Sequence, residues 1–375
     1  MDQNRGLGGL ESLVMGQGLC TMCGACAGMC PYLEAFKGRI VKLHDCDLAE
    51  GRCYAHCPRT TLDLTALNRN RFGSEEIPVG LGFQNRILMA RSLDPELLQR
   101  AQTGGVVSSL VVLALEEGLV DAAVLTQRGK DLLPSGRIVT CRDQVLDCAG
   151  SSYVASPSLA VLNKGPWNGQ ERIAVVGVPC QISALEKMKS CNLLQDAPAA
   201  RRVVVSIGLF CTWALSYAPF IDFLKQKLPS QVVEAMDISP PPERILRVRT
   251  PSGTMEISVD EIRPFIQPAC AFCADMTSEL ADLSVGTVEG EPGWNTLILR
   301  TQAGESLLEK ALAKRLLEVK PLPSAHAEHL VQASMLKKRR ALEAMKNVED
   351  KQCGYLLADS RWLERVRLGT EGRQQ

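Results

Sequence analysis

Seven cysteines in the first 58 residues carry the clearest chemistry of this chain. Cys20, Cys23, Cys26 and Cys30 run as C-x2-C-x2-C-x3-C and end at Pro31, and Cys46, Cys53 and Cys57 follow, closed again by a proline, Pro58. Three thiolates on one tight loop take three corners of one iron–sulfur cubane; the fourth, held apart by the turn before proline, reaches a different cluster. Paired C-x2-C is also zinc spacing. Zinc needs neither a third cysteine at +3 nor a Cys-Pro ending, so the pattern favours iron–sulfur. Gly16, Gly18, Gly24 and Gly28 surround the first run and permit close backbone approach.

The second run lacks one cysteine. Counting back from Cys57 by the standard spacing reaches Cys53, Glu50 and Asp47, with Cys46 one residue early. If Cys20, Cys23, Cys26 and Cys57 hold one cluster, Cys30, Cys46 and Cys53 leave three thiolates for the other. Three readings stand: a 4Fe-4S cluster with a non-cysteine ligand such as Asp47 or His44, a 3Fe-4S cluster, or no cluster with Cys46 a spectator. Two clusters are expected. His44 and His56 flank these cysteines; tuning a cluster by a hydrogen bond is one role, but a solvent-facing position is expected.

Four more cysteines stand where α/β proteins place their sites. Cys180 follows the apolar run IAVVGV and Cys211 follows VVVSIGLF, each before a helical pattern, and Cys270 and Cys273 form a C-x2-C pair. Sites in open α/β sheets collect at the carboxyl ends of strands. Singly, Cys180 and Cys211 read as ordinary buried cysteines. With the C-x2-C pair they supply four thiolates, enough for a third cubane. Cys141, Cys148, Cys191 and Cys353 match no ligand spacing.

The elements that must position these residues follow from the patterning. GRIVKL (38–43) is a short strand within the cysteine-rich unit, and 68–82 is a polar linker. From residue 86, strands (RILMARSL, VDAAVLTQ, IAVVGV, VVVSIGLF) alternate with helices. One helix starts at Asp94-Pro95; others are opened by Gly104-Gly105, by Cys180 and by Ser216. A hairpin spans 244–259, two further strands follow, and residues 324–350 form a charged helix. This predicts a ferredoxin-like domain over 1–72 and a parallel or mixed-sheet α/β domain over 73–322. A C-terminal helical extension follows over 323–375.

The 375 residues allow two or three domains. Lys+Arg and Asp+Glu both total 42, so no basic field argues for nucleic acid. The first 19 residues show neither a basic n-region nor an apolar h-region. The longest apolar stretch, Val106 to Val124, is broken by Glu116 and Glu117, so no direct membrane insertion is expected. Fifteen cysteines in such a chain indicate reduced thiols and metal in a cytoplasmic protein. The pair His326 and His329 and the basic run Lys337–Arg340 read as solvated or partner-facing helix faces.

Several segments together carry a resemblance: QTGGVVSSL (102–110), GSSYVAS (150–156), VGVPCQ (176–181), GLFC (208–211), CAFCADMTSELADLSVGTV (270–288) and GWNTLILRT (293–301). The chain resembles the family of beta subunits of coenzyme F420 hydrogenase and formate dehydrogenase over about residues 84–305, preceded by a two-cluster ferredoxin module. The resemblance implies FAD beside a 4Fe-4S cluster. It makes Cys180, Cys211, Cys270 and Cys273 the ligands of that cluster. Gly104, Gly105 and Ser108 at a helix start, with Gly150, Ser151, Ser152 and Tyr153, become flavin contacts. Independently, a helix start opened by two glycines offers N–H groups to a phosphate, although Gly-Gly is often only a turn and Tyr153 fits an ordinary half-buried position. Trp294 reads as strand core.

The expected function is a flavin and iron–sulfur oxidoreductase subunit. It would pass electrons between a soluble hydride carrier or ferredoxin and a chain of three clusters, toward a hydrogenase, formate dehydrogenase or heterodisulfide-reductase-like partner. Two alternatives are a stand-alone ferredoxin-dependent reductase of a small molecule and an electron-transfer subunit without a substrate site.

Overall fold

The structure, a computed structural model, describes residues 4–129, 131–165, 167, 169–193, 199–229, 231–239, 243–346 and 355–369. Cys353 and the expected last turns of the charged helix, 347–350, lie outside the described residues.

In the cysteine-rich unit, strands β1 (Leu33–Phe36) and β2 (Arg39–Lys42) form an antiparallel hairpin. Its two turn residues, Lys37 and Gly38, both have positive φ, +46° and +76°, the backbone that a two-residue hairpin turn favours. Gly38 is doubly required: a Cβ there would lie 2.5 Å from the Cβ of Tyr217. The hairpin tip therefore rests on the helix Tyr217–Lys227. Strand β3 (Leu62–Asp63) leads into the helix Leu64–Phe72, whose N–H of Ala66 is capped by Asp63 at 2.9 Å. The expected linker starting at Asn68 is thus corrected. Asn68 sits within this helix, its amide donating to the Leu64 carbonyl, and the helix stops at Gly73 with φ +70°.

The main sheet has eight strands: β4 (Arg86–Ser92), β5 (Ala122–Arg128), β6 (Pro134–Val139), β7 (Ile173–Gly177), β8 (Val203–Leu209), and then, past the small sheet below, β12 (Leu283–Thr287), β13 (Asn295–Leu299) and β14 (Leu317–Pro321). Between β8 and β12, strands β9 (Ala235–Ile238), β10 (Ile245–Thr250) and β11 (Gly253–Ser258) make a separate antiparallel sheet. The main order is β14-β4-β13-β12-β8-β7-β5-β6. Its centre, β12-β8-β7-β5, is parallel and its flanks are antiparallel. The expected mixed α/β sheet is present. Strands β6 and β14 carried no sequence expectation. Both are edge strands with half-exposed patterns, so neither alternation nor an apolar run marks them.

One face of the sheet packs against the helices Val106–Glu116 and Gln302–Ala313. The other packs against the helix Pro179–Ser190 through Ala184, Leu185 and Met188, and this cluster takes in Cys23 and Ala25 of the cysteine-rich loop. The chain ends by returning to its start. Strand β15 (Leu356–Leu357) pairs in parallel with β3, and Trp362 and Val366 join a core with Ile77, Val79 and Leu342. No helix among the described residues is long and apolar enough to cross a membrane.

Two sequence expectations fail here for one reason. Lys337 and Lys338 are not a solvated face: they are 3% and 1% exposed. Ser334, Lys337, Lys338, Ala341 and Leu342 form the buried stripe of the helix Ser324–Lys346, while Arg339 and Arg340 face solvent. Lys338 donates to the Gly80 carbonyl and the Ser334 hydroxyl, both at 3.0 Å, and pairs with Glu279. His326 is half-buried with an unpartnered Nδ1, whereas His329 is exposed and 3.0 Å from Glu289.

Arg300 anchors the segment entering the sheet. At 2% exposure it donates to the carbonyls of Leu81, Phe83 and Thr277 and to the hydroxyls of Ser284 and Thr277, at 2.6–3.2 Å. Arg300→Leu should cost about 3 kcal/mol or more by leaving buried acceptors unpaired; a denaturant midpoint equal to wild type would contradict this. Glu279 offers a pH test. Burial pushes its carboxyl up to about 7, against the pull of the Lys338 charge. A carboxyl raised above its unfolded value keeps its proton longer in the native state, so stability falls as pH rises from about 4.5 to about 7. The contribution is up to ~3 kcal/mol. Glu279→Gln should flatten that slope in denaturation series run across the window.

Candidate redox site

Cys180 and Cys211 come to one edge because the strands before them are neighbours, and the 3-10 turn of Cys270 and Cys273 joins them there. β7 and β8 run parallel with Gly177 opposite Gly208, so the turns after them open at the same edge. Cys180 lies in the first turn of the helix Pro179–Ser190. That turn is held by Gln181, which accepts from the Val178 N–H and donates to the Ser156 carbonyl, both at 2.9 Å. Cys211 is fixed by its N–H to the Met276 carbonyl at 2.9 Å. Cys270 and Cys273 bracket a 3-10 turn, and the Ala214 N–H donates to Cys270 Sγ at 3.3 Å. Burial raises the Cys180 thiol far above its ordinary range, and the thiols of Cys23, Cys273, Cys211 and Cys270 add to it. Cys211 is pushed up to about 12 by burial. Burial also opposes ionisation of Cys273, but the charges of Lys337 and Arg59 outweigh it and the thiol is lowered. Lys337 reaches this edge directly, donating to the Cys211 carbonyl at 2.6 Å.

The N-terminal cysteines fall into two sets. Cys20, Cys23, Cys26 and Cys57 line one pocket with Leu10, Val14 and Ile40. Burial pushes Cys20 up to about 11 and Cys57 up to about 12; Cys23 adds to both shifts. Cys26 rises well above its ordinary value, from burial and then from Cys23, Cys57 and Cys20. Cys53 is raised by burial and by Cys30 and Cys46, which define the second set. Asp47 and His44, the non-cysteine candidates for that set, are both exposed. His56 is not solvent-facing as expected: it is fully buried, neither ring nitrogen has a partner, and burial lowers it to about 4. The unmatched Cys141 is exposed, and Cys148 and Cys191 are half-buried.

The donor chemistry fits iron–sulfur clusters. Buried thiols that raise one another's proton affinity form a cage whose repulsion is relieved by cationic iron. N–H groups on sulfur, such as Arg59 N–H to Cys57 Sγ at 3.4 Å, suit iron-bound thiolates. Among the described residues no three His, Cys, Asp or Glu side chains are grouped for a single metal ion.

The residues expected at the flavin come together beside the strand-end thiols. Ser151 Oγ bonds Gln102, and the Gln102 amide donates to the Tyr153 hydroxyl at 2.7 Å. Tyr153 also accepts from the Ile238 N–H at 2.9 Å and faces Asp237. Its carbonyl takes the Leu215 N–H at 2.7 Å, one residue from Ala214 on Cys270. Gly105 caps the helix Val106–Glu116 with φ +68°. A Cβ on Gly104 would lie 2.7 Å from Asn295 Oδ1 and 3.0 Å from the Ala90 carbonyl. The chain's own packing accounts for Gly104, and the left-handed backbone for Gly105. Asn295 Oδ1 already accepts the Val106 N–H at 3.4 Å, leaving the next N–H groups, including that of the half-buried Ser108, as free donors of the helix start. Gly150 has φ +98°, where a Cβ would lie 3.8 Å from the Arg100 carbonyl oxygen, and Ser152 Oγ is buried without a partner. An unspent hydroxyl and a helix start on one wall fit a polar cofactor.

Sequence reasoning missed Arg59, Lys337 and Lys338. The two lysines were legible: Ala341 and Leu342, four residues on, put both on the apolar stripe. Arg59, directly after Cys57-Pro58, carried no periodic signal.

Comparison with known proteins agrees with this geometry. The family described as coenzyme F420 hydrogenase/dehydrogenase, beta subunit, matches in two parts: its N-terminal part at residues 87–163 and its C-terminal part at 170–325. The coenzyme F420 hydrogenase subunit beta of Methanothermobacter thermautotrophicus is 31% identical over 246 residues, 64% of this chain and 86% of that protein. A subunit of the F(420)H(2) dehydrogenase of Methanosarcina mazei is 27% identical over 300 residues, 78% of this chain and 82% of its own. A chain of the F420-reducing NiFe hydrogenase complex from Methanosarcina barkeri superposes with a TM-score of 0.65 at 29% identity, covering 71% of this chain and 92% of its own. This chain belongs to the family of coenzyme F420 hydrogenase/dehydrogenase beta subunits.

Proposed function

We propose that this chain is an electron-transfer subunit of a redox complex, working between a two-electron carrier and a one-electron partner through FAD and three iron–sulfur clusters. The carrier is the reduced deazaflavin coenzyme F420, as the names of the relatives suggest. When bound, the flavin exchanges a hydride with such a carrier and single electrons with iron–sulfur centres. The observation that carries the reading is contiguity: Cys23 packs in one apolar cluster with the helix that opens at Cys180, and Arg59, next to Cys57-Pro58, bonds the turn of Cys270 and Cys273.

The roles of this chain's residues follow from place. Cys180, Cys211, Cys270 and Cys273 hold the cluster next to the Gly150–Tyr153 wall. Cys20, Cys23, Cys26 and Cys57 hold the middle cluster of a ferredoxin-like module. Cys30, Cys46 and Cys53 hold the outermost one, where electrons leave for or arrive from the partner. Ser152 and the N–H groups after Gly105 bind the flavin. The network of Gln102, Ser151, Tyr153 and Asp237 orients that wall.

Anaerobically purified protein should hold roughly 11 to 12 iron atoms per chain, together with one flavin released as FAD. Zinc without iron would end the reading. Flavin-free protein carrying full iron would leave the chain a pure electron-transfer subunit. Cys273→Ser should remove one cluster signal from the EPR spectrum and spare the other two, because its group is carried by different elements. An unchanged spectrum would show that the strand-end thiols are packing residues.

A further inference from the structure

We propose that Arg59 is the positioning residue that locks the middle thiol set to the strand-end thiol set and supplies one positive charge to both. The proposal rests on the reading that both sets carry iron–sulfur clusters.

Arg59 lies two residues after Cys57 and is 5% exposed. Its guanidinium reaches out of its own unit. Nη2 donates to the Ala269 carbonyl at 3.1 Å and Nη1 to the Phe272 carbonyl at 3.4 Å. Those carbonyls belong to the residues directly before Cys270 and Cys273, so the fork holds the turn that presents both thiols. Its backbone N–H meanwhile donates to Cys57 Sγ at 3.4 Å. The guanidinium also lies 4.4 Å from the Tyr355 ring centroid, and the Tyr355 hydroxyl donates to the same Phe272 carbonyl at 2.6 Å.

The charge argument is independent of these contacts. A buried charge without a counter-charge is strongly destabilising. Among the described residues, no carboxylate lies within salt-bridge distance of Arg59, and Cys180 and Cys273 line a cavity with it. Its natural counter-charge is a set of thiolates. The one residue touches both sets, its backbone N–H on Cys57 Sγ and its guanidinium on the carbonyls beside Cys270 and Cys273. Lys337, the other buried cation here, meets the strand-end set through the Cys211 carbonyl at 2.6 Å. A fixed positive charge favours the more negative, reduced state of a nearby centre. Arg59 would therefore lift two neighbouring centres together and keep an electron passing between them nearly isoenergetic.

The test is an EPR-monitored redox titration of the full chain as wild type, Arg59→Gln, Arg59→Lys and Lys337→Gln. In Arg59→Gln the reduction equilibria of two clusters should shift about tenfold toward the oxidised form, about 59 mV for one-electron centres. The outermost cluster should stay put and serve as the internal reference. Lys337→Gln should move one cluster only, the one that Cys273→Ser removes. Arg59→Lys should recover more than half of each shift. A single cluster moving in Arg59→Gln, or none, overturns the proposal. If Arg59→Gln assembles no clusters, Arg59→Met is titrated in its place: joint movement of both potentials supports the bridge, and movement of one alone or of neither overturns it. Failure of the underlying reading shows earlier and differently, as wild-type protein without iron at one of the two sets.

Discussion

The structure turns on the cost of gathering thiols where water cannot reach them. Burial is the leading cause of every rise resolved among the cluster cysteines, and each thiol makes its neighbours harder to ionise. Such groups stay together only if the scaffold over-determines them. Here the restraint comes from backbone bonds that fix the loops and from two buried cations, Arg59 and Lys337, which shift the balance at Cys273. Neither cation has a salt-bridged carboxylate among the described residues. Their charge is directed at sulfur.

That restraint explains why the N-terminal unit is not a loosely tethered module. Contacts between domains of one chain usually leave room for motion. Here the Cys23 carbonyl accepts the Leu159 N–H at 3.1 Å, and Asn163 donates to the carbonyls of Ala25 and Ala27. Gly24, at φ +86°, lies so close to Pro157 that a Cβ would fall 2.3 Å from its carbonyl oxygen. Cys23 and Ala25 belong to the same apolar cluster as the strand residues Ile173 and Val175. The C-terminal segment then closes the join, with β15 on β3 and Tyr355 under Arg59. These contacts fix the spacing between the N-terminal thiols and those at the sheet edge.

The Gly150–Tyr153 wall shows a different economy. Ser151 and Tyr153 are committed to Gln102, Asp237 and Ile238, which ties the small β9–β11 sheet to the main domain. Ser152 alone of the three keeps an unspent polar atom. In the same way Gly104 and Gly105 serve the packing of their helix against β4 and Asn295. Residues of a recognisable motif thus divide between building the wall and facing what binds to it.

Much of this was legible in the sequence. Cysteine spacing marked all three thiol sets, because tight loops impose short, fixed intervals. Strand and helix alternation marked the parallel centre of the sheet, because its strands are buried on both faces and read as apolar runs. The edge strands β6 and β14 left no such trace. Adjacency in space was decided by tertiary structure alone: β7 beside β8, the Cys23 loop against the sheet, and the last helix against the first unit. The buried cations were settled at the same level. A lysine or arginine looks solvent-bound until folding shows what surrounds it, and Lys337 and Arg59 are met by thiol-bearing turns distant in sequence.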